Sequence, residues 1–255
     1  MTNRPNGSLY TKIENQIATV EFGHTASNSF TLELLNRLTS ELDRLSDNEA
    51  VTLILLKSEG EKTFCAGASF DELMQVSNME QGDIFFSGFA NVINAMRRCK
   101  KVIVGRVQGK AVGGGVGLLS ACDYVFAVEA ASIRLSEISI GIAPLVIAPA
   151  LERKMGIAAV SELSLNATEW KNAYWAQEKG LFAKVFENLN ELDTEIDFFT
   201  QKLSAYNPAA LLEWKKVLWN NTDHWDTLLT ERARITGALA LSEFTKNALA
   251  KFKNK

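Results

Sequence analysis

Two segments rich in glycine and alanine, each lying between a predicted strand and a predicted helix, constrain the fold most. The first is TFCAGASFD at residues 63–71, which follows the apolar run VTLILL at residues 51–56. The second is GKAVGGGVGLLSACD at residues 109–123, which follows VIVGRV at residues 102–107. Continuous apolar runs are typical of strands buried on both faces of a parallel sheet. Strand, small-residue turn and helix in repetition therefore predict an α/β fold.

The rest of the hydrophobic pattern agrees with this fold class. Alternation at residues 9–13 and 17–22 predicts a β-hairpin that turns at residues 14–16. Leucines at three- and four-residue spacing predict a helix up to residue 45 that Ser29 or Thr31 caps. The pattern becomes helical after residue 145. Further predicted elements are a strand over residues 124–128 and helices over 83–98, 116–121, 209–219 and 225–252.

Neither glycine segment matches a phosphate-binding motif. The dinucleotide fingerprint GxGxxG would require glycine at position 118 after Gly113 and Gly115, but the chain has Leu118. A P-loop would require lysine after its second glycine, which the segment after Gly109 lacks. Two interpretations stay open. Either the glycines allow tight turns and close packing, or backbone N–H groups from the two segments form an oxyanion hole.

Charge and composition exclude several classes of function. The chain has 27 basic and 30 acidic residues, a net charge of −3 and no basic stripe, which argues against nucleic-acid binding. Its longest uncharged run, residues 138–151, contains two prolines and is too short to span a membrane. The N-terminus lacks the apolar stretch of a signal peptide, so we expect a cytoplasmic protein. Two histidines and three cysteines at no zinc spacing predict no metal site and no disulfide framework.

Three motifs taken together resemble the crotonase, or enoyl-CoA hydratase/isomerase, superfamily. They are FCAGASF at 64–70, GKAVGGGVGLLSACD at 109–123 and RLSEISIGIAP at 134–144, and the resemblance runs from about residue 8 to the end. It implies a spiral of ββα units over residues 1–200, a C-terminal helical oligomerisation region over 201–255, and a homotrimer or homohexamer. It also implies an acyl-CoA thioester substrate, with coenzyme A entering as part of the substrate, and no other cofactor.

The same resemblance implies roles for individual residues. Ala68 and Gly114 match the positions whose backbone amides form the family's oxyanion hole, and Glu137 matches a catalytic glutamate. Hydratases of the family commonly carry another glutamate three residues after the oxyanion glycine, where this chain has Gly117. The first motif has Ser69 where an aspartate is common, with Asp71 two residues later. The residues expected to contact substrate are Ala66, Gly67, Ser69, Phe70, Asp71, Gly113 and Gly117.

Glu137 is also a candidate from its surroundings alone. It lies in the largely apolar stretch IRLSEISIGIAPLVIAP, where partial desolvation would raise the pKa of its carboxyl toward a value useful for proton transfer. The alternative is a solvated position at a strand end.

In the helix predicted over residues 83–98, three phenylalanines are expected to pack in the core rather than to fill space in a substrate pocket. They are Phe85, Phe86 and Phe89.

The resemblance favours an enoyl-CoA hydratase that adds water reversibly to a 2-enoyl-CoA thioester. The bacterial 3-methylglutaconyl-CoA hydratase branch looks most similar. A single glutamate fits isomerisation of a 3-enoyl to a 2-enoyl thioester more simply, so an isomerase is the alternative. A catalytically silent acyl-CoA-binding protein is the alternative of another class. For a hydratase, we expect the gap at Gly117 to hold water, a bound anion or the substrate's distal carboxylate.

Overall fold

The computed structural model describes residues 5–253, and its first element is the predicted hairpin. β1 (Ser8–Glu14) and β2 (Ile17–Gly23) pair antiparallel through the turn residues Asn15 and Gln16, whose φ angles are 49° and 64°. Positive φ at both central residues gives a two-residue turn whose twist matches that of the flanking strands. The hairpin prediction is confirmed.

Four more strands extend this hairpin into a six-stranded sheet. They are β3 (Leu53–Ser58), β5 (Val102–Val107), β7 (Tyr124–Val128) and β10 (Lys184–Phe186). Numbered in chain order, the strands lie in the order β1-β2-β3-β5-β7-β10, and every pair after the hairpin is parallel. The predicted α/β class with a largely parallel sheet is confirmed. The strand predicted from Val51 begins at Leu53.

A second, four-stranded sheet is made of very short strands that the sequence pattern does not reveal. They are β4 (Thr63–Cys65), β6 (Lys110–Val112), β8 (Ser132–Arg134) and β9 (Lys171–Asn172), in that order, with the first three parallel. Three times along the chain, a strand of the larger sheet is followed by a strand of the smaller sheet and then by a helix. These successive strands are β3 and β4, β5 and β6, and β7 and β8. Because β4, β6 and β8 run parallel, their carboxyl ends bring the three sequence motifs to one edge.

Eleven α-helices accompany the sheets in the described part of the chain, and capping side chains fix several of their starts. Thr31 Oγ1 accepts the Leu34 N–H, so Thr31 rather than Ser29 caps the first helix. Asn78 Oδ1 accepts the Gln81 N–H, which moves the start of the helix predicted from residue 83 back to Met79. The helices are α1 (Leu32–Ser46), α2 (Phe70–Gln75), α3 (Met79–Arg98), α4 (Gly114–Ala121), α5 (Ala148–Met155), α6 (Ile157–Leu165), α7 (Ala173–Glu178), α8 (Leu189–Ser204), α9 (Pro208–Leu218), α10 (Trp225–Ala240) and α11 (Glu243–Lys253).

The single long helix predicted over residues 225–252 is two helices. The break lies at Leu241 and Ser242, where Ser242 Oγ accepts the Thr245 N–H at 3.2 Å. Thr245 Oγ1 in turn donates to the Leu239 carbonyl at 3.1 Å. A serine side chain that caps a helix start stabilises a break between two helices, because it accepts a hydrogen bond from an N–H group that would otherwise lack a partner.

The C-terminal helices lie against the core of the same chain. α10 packs along α3, and the two backbones approach closely because Gly82 faces Gly237: a Cβ on Gly237 would lie 2.8 Å from the Gly82 carbonyl carbon. The boundary predicted between residues 200 and 201 falls inside α8, and the division into two regions stays a prediction. Within residues 5–253, no helix is both long and apolar enough to cross a membrane.

Candidate active site

A cavity of about 400 Å³ opens at the edge where β4, β6 and β8 end. This volume lies within the range of small-molecule sites. Its walls come from the loops after these three strands, from α3 and from the segment between residues 139 and 147. The lining residues are Ala66, Gly67, Ala68, Phe70, Leu73, Phe86, Phe89, Val112, Gly113, Gly114, Arg134, Ser136, Glu137, Ser139, Ile140, Ile142, Ala143, Pro144, Leu145, Val146, Ile147, Ala167, Thr168 and Thr236.

The loop after β4 leaves one backbone N–H group without a partner. Gly67 has a φ of 93°, which favours glycine, and its N–H donates to the buried Cys65 Sγ at 3.3 Å. The Gly67 carbonyl accepts the Phe30 N–H, and the Ser69 N–H donates to the Phe30 carbonyl. Between these two bonds, the Ala68 N–H has no acceptor among the described residues. Ala68 therefore offers a fixed, free donor in the cavity wall.

The loop after β6 supplies a second free donor. Gly113 has φ 52° and ψ −120°, and its N–H donates to the Arg134 carbonyl at 2.9 Å. Gly114 is the first residue of α4, so its N–H has no intrahelical partner, and no other acceptor lies within reach in the described chain. A Cβ on Gly67 would lie 3.8 Å from the Gly114 nitrogen, so the two loops touch. The two free N–H groups thus belong to residues that line one cavity.

Glu137 is the only acidic residue among the described lining residues. It opens a short 3₁₀ helix, Ile138–Ile140, two residues after Leu135. Its Oε1 lies against Gly113, where a Cβ would come within 2.6 Å of it, and its Oε2 is buried with no hydrogen-bond partner among the described residues. Burial raises the pKa of this carboxyl from 4.5 to about 7, although backbone hydrogen bonds and the charge of Arg134 oppose the rise. A carboxyl with this pKa can both accept and donate a proton near neutral pH.

Aromatic rings of α3 close the cavity beside the second glycine loop. Phe86 and Phe89 are buried and also line the cavity, which corrects the expectation that they only pack in the core. A Cβ on Gly114 would overlap the Phe89 ring, so this ring requires glycine at the start of α4. Phe85 does not line the cavity. It packs edge-on against Phe86 as a core residue, with 5.2 Å between the ring centroids.

Three residues expected to contact substrate lie outside the cavity lining. Ser69 is buried, and its Oγ accepts the Glu72 N–H, so it caps α2. Asp71 is exposed in the first turn of that helix. Gly117 lies in α4 beneath Ile147, and a Cβ on it would overlap the Ile147 side chain. The predicted gap for water, an anion or a carboxylate at Gly117 is therefore wrong, because an isoleucine occupies that space. The other predicted site residues, namely Ala66, Gly67, Ala68, Phe70, Gly113, Gly114 and Glu137, all line the cavity.

Arg134 is a site residue that the sequence analysis missed. Arg134 is one of the residues that line the cavity, and its guanidinium lies 4.5 Å from the centre of the Trp170 ring. The signal was present in the sequence, because Arg134 is a basic residue three positions before Glu137 in a largely apolar stretch. Within the described chain, no group of three or more His, Cys, Asp or Glu side chains is placed to hold a metal ion.

The fold and cavity together define an enzyme whose site combines free backbone donors with one buried carboxyl, an arrangement suited to stabilising an oxyanion. The chain belongs to the enoyl-CoA hydratase/isomerase family, whose sequence model matches residues 12–255. The implied crotonase-type fold is confirmed: the crystal structure of an enoyl-CoA hydratase from Bacillus halodurans matches with a TM-score of 0.89 at 21% identity, over 95% of this chain and 99% of that one.

Two relatives carry different activities in their names. The peroxisomal Delta(3,5)-Delta(2,4)-dienoyl-CoA isomerase of Arabidopsis thaliana is 28% identical over 203 residues, which cover 75% of this chain and 72% of that protein. The mitochondrial methylglutaconyl-CoA hydratase of Rattus norvegicus is 32% identical over 167 residues, which cover 65% of this chain and 52% of that protein. The relatives of this chain thus include both a hydratase and an isomerase.

Proposed function

We propose that this protein adds water reversibly to a 2-enoyl-CoA thioester, with Glu137 as the only side chain that carries a proton. The observation that carries the proposal is the buried carboxyl of Glu137, which has an unpaired oxygen and a pKa of about 7 and shares a cavity with two free backbone donors. Coenzyme A enters as part of the substrate, and the reaction uses no further cofactor.

In the proposed reaction, the N–H groups of Ala68 and Gly114 donate to the thioester carbonyl oxygen. Ionised Glu137 accepts a proton from water while the water oxygen bonds to the β-carbon. The electron pair of the double bond moves toward the carbonyl, and the resulting oxyanion is held by the two N–H groups. Glu137 then returns the proton to the α-carbon, and the enolate becomes the thioester of a 3-hydroxy acid. One carboxyl with a pKa near neutrality serves both steps.

We propose 3-methylglutaconyl-CoA as the substrate. The motif GGGVGLLSACD and the stretch LSEISIGIAPLVIAP support this assignment by resemblance, and the rat relative is named a methylglutaconyl-CoA hydratase. The carboxylate site expected at Gly117 no longer supports it, because Ile147 fills that position.

An isomerase is the second candidate, and a specific observation favours it. No acidic side chain besides Glu137 lines the cavity in the described chain, and isomerisation needs one base that removes a proton and returns it two carbons away. The Arabidopsis relative is named as an isomerase. A catalytically silent acyl-CoA binder is disfavoured by the buried, unpaired carboxyl, because such a group costs stability and binding alone does not require it.

The deciding experiment incubates the protein separately with 3-methylglutaconyl-CoA, crotonyl-CoA and a 3-enoyl-CoA and measures product masses. We expect the product to gain the mass of one water, and we expect Glu137→Gln to slow its formation strongly. The matched control is Asp71→Asn, which removes an exposed carboxyl outside the cavity and should leave turnover unchanged. An unchanged mass with a moved double bond would instead establish the isomerase. No turnover of any of the three would refute both activities for these substrates.

We also propose that the protein assembles as a homotrimer or homohexamer. Large apolar side chains are exposed on α8 and α9, namely Phe198, Trp214 and Val217, each about three-fifths exposed. Apolar surface of this kind marks protein interfaces when it is contiguous. Light scattering coupled to size-exclusion chromatography should give three or six times the mass of one chain, and a monomer at micromolar concentration would contradict the assembly.

A further inference from the structure

Arg134 is the only basic residue among the described residues that line the cavity. It ends β8, and its carbonyl accepts the Gly113 N–H at 2.9 Å, which ties its backbone to the second glycine loop. Its position is therefore fixed relative to Gly114 and Glu137. Ser136 and Thr168 line the same cavity.

The guanidinium of the half-buried Arg134 forms no ion pair with the described residues. Its Nε is buried without a hydrogen bond, and among the described residues no carboxylate oxygen lies within 4.0 Å of its nitrogens. By contrast, the half-buried Arg106 forms two hydrogen bonds to Asp193. Arg134 rests instead beside the Trp170 ring, which holds the guanidinium in place but leaves its donors free. Arg134 is half-buried, so its remaining donors are free to bind an anion that enters the cavity.

We propose that Arg134 binds a carboxylate at the far end of the acyl group, so that the preferred substrates are thioesters of dicarboxylic acids. This inference deepens the proposed function, whose substrate 3-methylglutaconyl-CoA is itself such a thioester, and rests on it in taking an acyl-CoA as the ligand. The planar guanidinium matches a carboxylate through two parallel hydrogen bonds. Because Arg134 and Glu137 line one cavity, a single acyl chain can present its α- and β-carbons to Glu137 and its terminal carboxylate to Arg134.

The test measures binding of two unreactive thioesters by calorimetry, so that no turnover is needed. Glutaryl-CoA and pentanoyl-CoA have acyl chains of five carbons, and only the first carries a terminal carboxylate. Wild-type protein should bind glutaryl-CoA about 10- to 100-fold more tightly. Arg134→Gln should remove this preference, and Arg134→Lys, which keeps the charge without the planar fork, should retain part of it.

Lys110→Gln is the matched control. Lys110 also lies near the Trp170 ring, at 5.0 Å, but it is exposed and does not line the cavity. The preference for glutaryl-CoA should survive this loss of charge.

Two results would overturn the proposal. If Arg134→Gln weakens the binding of both thioesters equally, Arg134 holds a phosphate of coenzyme A. If the wild-type protein shows no preference for glutaryl-CoA, Arg134 binds no carboxylate. If the protein prefers glutaryl-CoA through Arg134 but hydrates no enoyl thioester, the proposed function is refuted and the role of Arg134 stands. Circular dichroism of each variant confirms that a lost preference is not a lost fold.

Discussion

Replacing Glu137 with glutamine should stabilise the folded protein while it strongly reduces activity, because burial opposes the charge that catalysis uses. The pKa of this carboxyl rises from 4.5 to about 7 in the folded chain, and desolvation is the main cause. One pKa unit corresponds to about 1.36 kcal/mol. Keeping Glu137 ionised therefore costs the folded state about 3 kcal/mol, a large part of the stability of an ordinary domain.

The sign of the effect follows from which state binds the proton. Well below pH 4.5 the carboxyl is protonated in both states, and its raised pKa costs nothing. Between pH 4.5 and about 7 the unfolded chain releases the proton and the folded chain keeps it, so the free energy of unfolding falls as the pH rises. Above pH 7 the full cost is present. Glutamine carries no charge, so the variant should gain roughly 1 kcal/mol over wild type at pH 5 and about 3 kcal/mol at pH 8.

Urea unfolding followed by the fluorescence of the five tryptophans measures this difference at both pH values. Comparing pH 5 with pH 8 removes any constant effect of the substitution. Asp71→Asn serves as the control, because it deletes an exposed carboxyl and should show the same small offset at both pH values. A gap between wild type and Glu137→Gln that does not widen with pH would refute the burial argument. In the hydration assay, the glutamine variant should lose about 10²- to 10⁴-fold in kcat.

Four further predictions test other parts of the site. Gly117→Glu should destabilise the protein by about 1–3 kcal/mol, because the new side chain overlaps Ile147. Thermal melting should show this loss and its partial recovery when Ile147→Ala is added. An unchanged melting temperature would contradict this packing. Gly113→Ala should cost about 1–3 kcal/mol and displace Glu137, because φ is 52° there and the new methyl group meets Oε1; a variant with wild-type kcat and stability would show that the loop adapts freely. The kcat/KM for hydration should fall tenfold per pH unit below about pH 7, since Glu137 must be ionised to accept a proton from water, and a profile flat down to pH 5 would assign the proton to another group. The Cys65 thiol, whose pKa burial raises to about 12, should react with iodoacetamide at pH 8 only after denaturation, and rapid labelling of the native protein would contradict its burial.

Sequence reasoning worked best where one local rule decides the structure. The hairpin follows from strict alternation around Asn15 and Gln16, and the larger sheet follows from three continuous apolar runs. Strands of two or three residues, such as β4 and β9, show no periodicity, so the second sheet was invisible as a pattern. The helix break at Ser242 carried a readable signal, because a serine followed by an acidic residue is a common helix start.

The site was predictable as a set of backbone positions and less so as a set of contacts. Gly67, Gly113 and Gly114 need glycine for reasons of conformation or close approach, which motif reasoning captures. That Ile147 covers Gly117 depends on how a loop 30 residues away folds back onto α4, and no spacing rule gives that contact. The outward direction of Asp71 likewise depends on the start of α2 at Phe70, one residue before it.

The contact between Ile147 and Gly117 bears on how one carboxyl could perform a reaction that commonly uses two. A second carboxylate near Glu137 would raise the pKa of one of the pair through repulsion between like charges, and the protons would be shared between them. An isoleucine over Gly117 adds no charge, and burial is the cause that raises the pKa of Glu137 to about 7. A single group must be ionised to activate water and protonated to complete the addition, and a pKa near the working pH makes both forms accessible. A carboxylate bound at Arg134 would cancel the positive charge that now lowers the pKa of Glu137 and raise that pKa further. A dicarboxylic thioester should therefore shift the acidic limb of the pH profile of kcat to higher pH than an uncharged thioester does.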